Sequence, residues 1–290
     1  MPNSGLLYAA TVLIWGTTWF AISLQLGQVA IEVSVLYRYI MASLVLVVFC
    51  LARKTPLKFS ARAHKFMALQ GACLFCLNYI FFYYASVNLT TGLVSVIFST
   101  VVLMNVLNAR LIVAQKVRPI VVLSGILGLL GLVFIFIPEL SNMERSTQVR
   151  NSILFGLLAT LCASIGNVTT IKNKENGVPV VAATTWGMFY GAVMTLSYVL
   201  IKGIPFTFDW STKYVVSLLY LSLFGSVIAF ICYLTLIERV GPDKASYSGV
   251  MFPVVALIIS TIFEGYSWSV AAVFGLSLVM IGNYLVLRAK

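Results

Sequence analysis

Apolar residues run along this chain in long blocks separated by short polar connectors, with no period-2 alternation inside the blocks. At about 1.5 Å of rise per residue, a hydrocarbon layer about 30 Å thick takes some 20 helical residues to cross. Ten blocks approach or reach that length: Gly5–Leu26, Val33–Leu51, Phe66–Val87, Thr91–Val113, Pro119–Ile137, Ile153–Ile171, Val180–Ile201, Tyr214–Ile237, Ala245–Phe263 and Ser269–Leu287. Helices satisfy their own backbone hydrogen bonds in lipid, whereas barrel strands would alternate. The pattern therefore predicts an all-α integral membrane protein with ten transmembrane helices. The third and fourth blocks nearly merge, and the turn between them is expected at Asn88-Leu-Thr-Thr-Gly92, where Gly and side-chain capping groups favour one.

The polar stretch Pro138–Ser152 is the longest connector on its side and divides the chain into residues 1–145 and 146–290, with five spans in each. An odd number per half makes the second half enter the membrane from the opposite side. Two inverted five-helix repeats are a recurrent transporter architecture, with the substrate site near the midplane between them. Gly125, Gly128 and Gly131 in the fifth span correspond in place to Gly275 and Gly282 in the tenth. Small residues on one face let helix backbones approach closely, so both spans read as packing elements.

Composition agrees with this picture and excludes a soluble fold. Of 290 residues, 61% are hydrophobic and 9% charged, with a mean hydropathy of +1.02, against about 25% charged in a soluble domain. The net charge of +11 invites a nucleic-acid reading, but the charges sit in connectors, as topology signals do. With the N-terminus inside, fourteen of the nineteen Lys and Arg fall on cytoplasmic connectors and four on outer ones; Arg38 alone lies within a span. Both termini are therefore expected in the cytoplasm, with no nucleic-acid partner. Met1–Ser4 contains no Lys or Arg and no small-residue cleavage site follows, so the first block is expected to be retained.

Enzyme chemistry finds little to build on. The single histidine, His64, falls beside Arg62 and Lys65 in a basic loop and is expected to be solvated. No Walker or dinucleotide fingerprint is present, so no cofactor or metal is expected. All five cysteines lie in apolar segments; the spacing of Cys73 and Cys76 suits redox chemistry, but the context suits packing. The eight acidic residues fall in connectors or at span ends, which disfavours proton coupling through a mid-membrane acid; Glu238 and Glu264 could face a vestibule.

Arg38 is the exception, since a charge within a span calls for a cavity or a partner, unless it snorkels outward beside Tyr37 and Tyr39. Uncharged polar and aromatic residues recur within spans, among them Trp15, Thr18, Trp19, Asn78, Tyr79, Tyr83, Ser95, Ser99, Asn167, Trp186 and Tyr190. They suit a cavity in which amides and hydroxyls orient an organic solute and aromatic faces bind its apolar parts. Each alone would also serve as interhelical glue. Pro253 lacks an N–H, frees a carbonyl near Gly249 and should bend the ninth span, giving it a gating role.

These residues carry a resemblance. Trp15-Gly16-Thr17-Thr18-Trp19, Arg38-Tyr39-Ile40-Met41-Ala42, and Phe252-Pro253-Val254-Val255-Ala256 followed by Glu264, Gly275 and Gly282 resemble the signatures of the drug/metabolite transporter superfamily, EamA type. The resemblance covers nearly the whole chain. It implies a cavity lined by spans one to four and six to nine, with spans five and ten peripheral, and export or exchange of amino acids, related metabolites or toxic compounds across a bacterial inner membrane. The chain departs from the pattern at Val102, where the family usually has Pro, and at Ala114-Gln115, where Gly-Glu is usual. At the position matching Arg38 the second half carries Gly187. The reading is a secondary transporter for a small-molecule substrate, working in the lipid bilayer as a monomer or homodimer. A membrane sensor or an intramembrane enzyme is the alternative.

Overall fold

The computed structural model describes residues 3–113, 119–140, 146–233, 235–236, 239 and 248–288. They form ten helical spans: α1 Ser4–Ser23, α2 Ile31–Ala52, α3 Ala61–Ala85, α4 Thr91–Ile112, α5 Pro119–Leu140, α6 Ser146–Glu175, α7 Val180–Lys202, α8 Thr212–Tyr233, α9 Ser248–Phe263 and α10 Val270–Arg288. Eight are long and apolar enough to cross a membrane, and α9 and α10 contribute the shorter apolar stretches Met251–Phe263 and Val270–Leu285. The exterior is apolar: Leu111 and Ile201 are 81% and 82% exposed, while polar side chains such as Asn78, Ser95 and Arg38 are buried. This reverses the solvent preference of a soluble fold and matches a lipid-facing surface.

The expected turn between the third and fourth spans is present, and α4 starts at Thr91 with Thr90 as its N-cap. The polar connector is shorter than expected. α5 runs to Leu140 and α6 begins at Ser146, so most of Pro138–Ser152 is helical. Exposed polar residues such as Asn151 are compatible with a helix that extends beyond the apolar block.

Contacts between helices come in exchanged pairs, as an inverted repeat requires. α1 packs on α9 as α6 packs on α4, and α3 packs on α7 as α8 packs on α2. The equivalent spans α5 and α10 also pair extensively. A Cβ on Gly131 would lie 2.5 Å from the Gly275 carbonyl oxygen, and one on Gly275 would lie 2.5 Å from that of Gly131. The sequence-matched glycines are thus the crossing point itself.

A second repeated feature is invisible in the apolar pattern. α3 widens into π-helical turns over Gly71–Leu77, and its counterpart α8 does so over Tyr220–Ile228. Such turns inside α-helices are frequent at functional sites. α4 is interrupted at Thr100, between Thr91–Ser99 and Val101–Val113. Ser95, Ser99 and Thr100 there return their hydroxyls to the carbonyls of Gly92, Val96 and Ile97, at 2.6, 2.7 and 2.7 Å, and such back-bonding bends helices. The first half therefore breaks its fourth span without the proline that the second half carries at Pro253, which is buried within a continuous α9.

Candidate functional site

Arg38 stands at the centre of the bundle, about two turns into α2. It is 1% exposed and does not snorkel. Its Nε donates to Ser226 Oγ of α8 at 3.1 Å, and its guanidinium carbon lies 4.3 Å from the ring centre of Tyr79 on α3 and 5.4 Å from that of Tyr39. Among the described residues no carboxylate comes within 4.0 Å of it. Aromatic faces contribute about 2 kcal/mol to a desolvated cation, which offsets part of the several kcal/mol that burial of the charge costs. Arg38 Nη1 and the buried hydroxyls of Tyr39 and Tyr83 complete no well-formed hydrogen bond among the described residues, although Tyr83 lies beside the guanidinium and Tyr39 beside Tyr79.

The widened turn of α8 meets this arginine. Ser226 Oγ accepts from Arg38 and donates to the Leu221 carbonyl five residues earlier, at 3.0 Å. Trp15 Nε1 donates to the neighbouring Gly225 carbonyl at 3.0 Å. A Cβ on Gly225 would lie 2.7 Å from Thr18 Cγ2 and 3.4 Å from Arg38 Nη2, so a side chain there would force its neighbours apart. Trp15 and Thr18 from α1 and Arg38 from α2 thus converge on Gly225-Ser226. Sequence reasoning missed this pair; its signal was a small-residue step in a bulky apolar run.

The other expected site residues divide between packing and a separate cluster. Trp19 is buried edge-on against Phe82 and tilted against Phe98, with ring centres 4.9 and 5.4 Å away. Asn78 donates to the Ala159 carbonyl at 2.8 Å, tying α3 to α6. Asn167 approaches Asn105 at 3.5 Å, and Asn108 bonds Ser164 at 2.8 Å, which links α4 to α6. Trp186 and Tyr190 of α7 join His64 near the loop that follows α2. Tyr190 Oη lies 2.8 Å from His64 Nδ1, and Trp186 Nε1 donates to the Leu57 carbonyl at 3.0 Å. His64 is therefore a half-buried member of α3 and not a solvated loop residue, because the amphipathic start of α3 turns it onto the aromatic face of α7.

Glu264 has a definite partner at the opposite end. α9 closes with Gly265 at φ +70°, and the Tyr266 amide returns to the Ser260 carbonyl at 3.1 Å, a left-handed helix terminus. This turn presents Glu264 to the start of α4, where Oε2 accepts from the Thr91 amide and hydroxyl, each at 2.9 Å, and from Ser260 Oγ. Ser260 Oγ in turn accepts from the Gly92 amide at 2.7 Å. A carboxylate of one half thereby caps a helix of the other. It also borders an open cleft of about 520 Å³ with Asn88, Thr90 and Gln148. Glu238, Asp243 and Ala114-Gln115 lie outside the described residues.

Ten helices, exchanged contacts between two halves and a buried polar centre shared by both define a polytopic membrane protein of the inverted-repeat transporter class. The profile of the EamA-like transporter family matches residues 3–137 and again 150–288, and the chain belongs to that family. The uncharacterized inner membrane transporter YedA of Escherichia coli is 27% identical over 98% of this chain and 92% of its own length. The uncharacterized transporter YoaV of Bacillus subtilis is 25% identical over 95% and 94%, and Protein PagO of Salmonella typhimurium 20% over 98% and 93%. A crystal structure of 16% identity superposes with a TM-score of 0.68, covering 97% of this chain and 95% of that one. These matches support a multi-pass inner-membrane transporter.

Proposed function

We propose that this chain is a secondary transporter that exports a small organic metabolite from the cytoplasm by alternating access, with both termini and the Arg53–Lys65 loop cytoplasmic. The observation that carries this reading is the Arg38 centre, where spans of both halves enclose a cation and two tyrosine hydroxyls that complete no well-formed hydrogen bond among the described residues. Opening the bundle towards either end would bring that centre into contact with water on one side at a time. The widened turns of α3 and α8 and the break in α4 are the places where the spans can bend.

The test is reconstitution. Vesicles containing the purified protein, loaded with a defined mixture of amino acids, organic acids and amines, should release at least one solute faster than empty vesicles. Equal release of every solute would remove the transport reading. Orientation is tested in cells with a cysteine-free background carrying Ser146→Cys. Labelling by an impermeant maleimide from outside is expected, and labelling only from the cytoplasmic side would invert the assignment.

A further inference from the structure

The centre holds a donor-only cation and two tyrosine hydroxyls, each able to donate. A guanidinium keeps its charge at any physiological pH, and Nη1 of Arg38 completes no well-formed hydrogen bond among the described residues. Nor do the hydroxyls of Tyr39 and Tyr83, buried around the same cation. Resting on the transport reading above, we infer that the carried solute is a small organic monoanion whose carboxylate is bound by Arg38 Nη1 together with the Tyr39 and Tyr83 hydroxyls. A carboxylate brings two oxygens and about four lone-pair sites, enough for all three donors, and it cancels the buried charge.

A zwitterionic amino acid fits this centre less well, because its ammonium would find no carboxylate to pair with among the described residues. The carboxylates of the neighbouring spans are engaged elsewhere: Glu32 accepts from Tyr84 Oη at 2.7 Å, and Glu264 holds the start of α4. The Tyr79 face is covered by the guanidinium.

The charge balance has a mechanistic consequence. An occupied centre is neutral and an empty one carries a positive charge, so each cycle that carries the anion alone moves one negative charge across the membrane. An inside-negative potential then drives the anion outward without a titrating acid in the centre. Each 100 mV is equivalent to about a 50-fold concentration ratio.

The probes are benzoate, phenylacetate and pyruvate, the amide of each, and phenylalanine. Thermal unfolding of the detergent-solubilised protein is expected to shift upward by several degrees with at least one of the carboxylates and not with its amide. The shift should vanish in Arg38→Gln and shrink in Tyr83→Phe, which keeps the ring and removes only the hydroxyl. In vesicles, accumulation of that carboxylate above the empty-vesicle level should change about 50-fold for a 100 mV potassium diffusion potential. The inference is overturned if no carboxylate shifts unfolding, if amides or phenylalanine act equally, if both variants keep the shift, or if accumulation ignores the potential. Transport that does not depend on Arg38 or on potential would leave the transporter reading standing and remove the anion. A carboxylate that binds but is not carried would do the reverse.

Discussion

Replacing Glu264 isolates what joins the two halves at the far end of the bundle. Its Oε2 receives the Thr91 amide and hydroxyl at 2.9 Å each, together with Ser260 Oγ. An N-cap is worth about 0.5–2 kcal/mol, a hydrogen bond to a charged group about 1.5–3 kcal/mol, and the helix-terminal field about 0.3–1 kcal/mol, or more when partly buried. These contributions overlap in one oxygen atom, and water in the adjoining cleft can replace part of them. Glu264→Ala is therefore expected to destabilise by about 2–3 kcal/mol. Glu264→Gln keeps an acceptor but loses the charge, and should lose about 1 kcal/mol. Reversible unfolding in mixed micelles, followed by far-UV circular dichroism, measures both. An alanine variant within about 0.5 kcal/mol of wild type, the range of an ordinary surface substitution, would refute the cap.

Three further outcomes follow from the packing. Gly275→Leu places a side chain where a Cβ alone would lie 2.5 Å from the Gly131 carbonyl, so folded yield should fall severely, and normal yield would show that α5 and α10 can separate without harm. Gly225→Ala intrudes on Thr18 and Arg38 and should reduce transport several-fold at a yield near wild type; unchanged turnover would remove α8 from the site. Pro253→Ala should slow transport more than it lowers yield, because it restores a hydrogen bond inside α9, and unchanged turnover at normal yield would remove its hinge role.

The spans were legible because hydropathy acts over some twenty residues, and most helix ends fall within a few residues of the apolar blocks. Where they did not, as at Ala61 and Ser146, polar turns extend the helix beyond the apolar block and carry no hydropathy signal. Arg38 was legible as a singular charge, and Trp15, Thr18, Tyr79 and Tyr83 as polar or aromatic residues on neighbouring spans. Their meeting point was not. Gly225 and Ser226 matter because a widened turn brings a backbone carbonyl and a small hydroxyl to Trp15 and Arg38, a relation fixed only by packing between spans. Ser95 and Ser99 looked like cavity residues, yet they bond their own helix, since a hydroxyl in lipid can turn back to a carbonyl one turn away. Trp186 and Tyr190 share a span with Gly187, which the resemblance aligned with Arg38, but they face His64.

The central claim is that Arg38 acts through its planar fork in contact with the solute, and the most direct measurement is solute flux through equal amounts of folded wild type, Arg38→Lys and Arg38→Gln in vesicles. Lys keeps the charge but cannot hold Ser226 through Nε while presenting Nη1. Substantial impairment of the Lys variant and deeper loss in Gln are expected. Wild-type flux through Arg38→Lys would contradict the account.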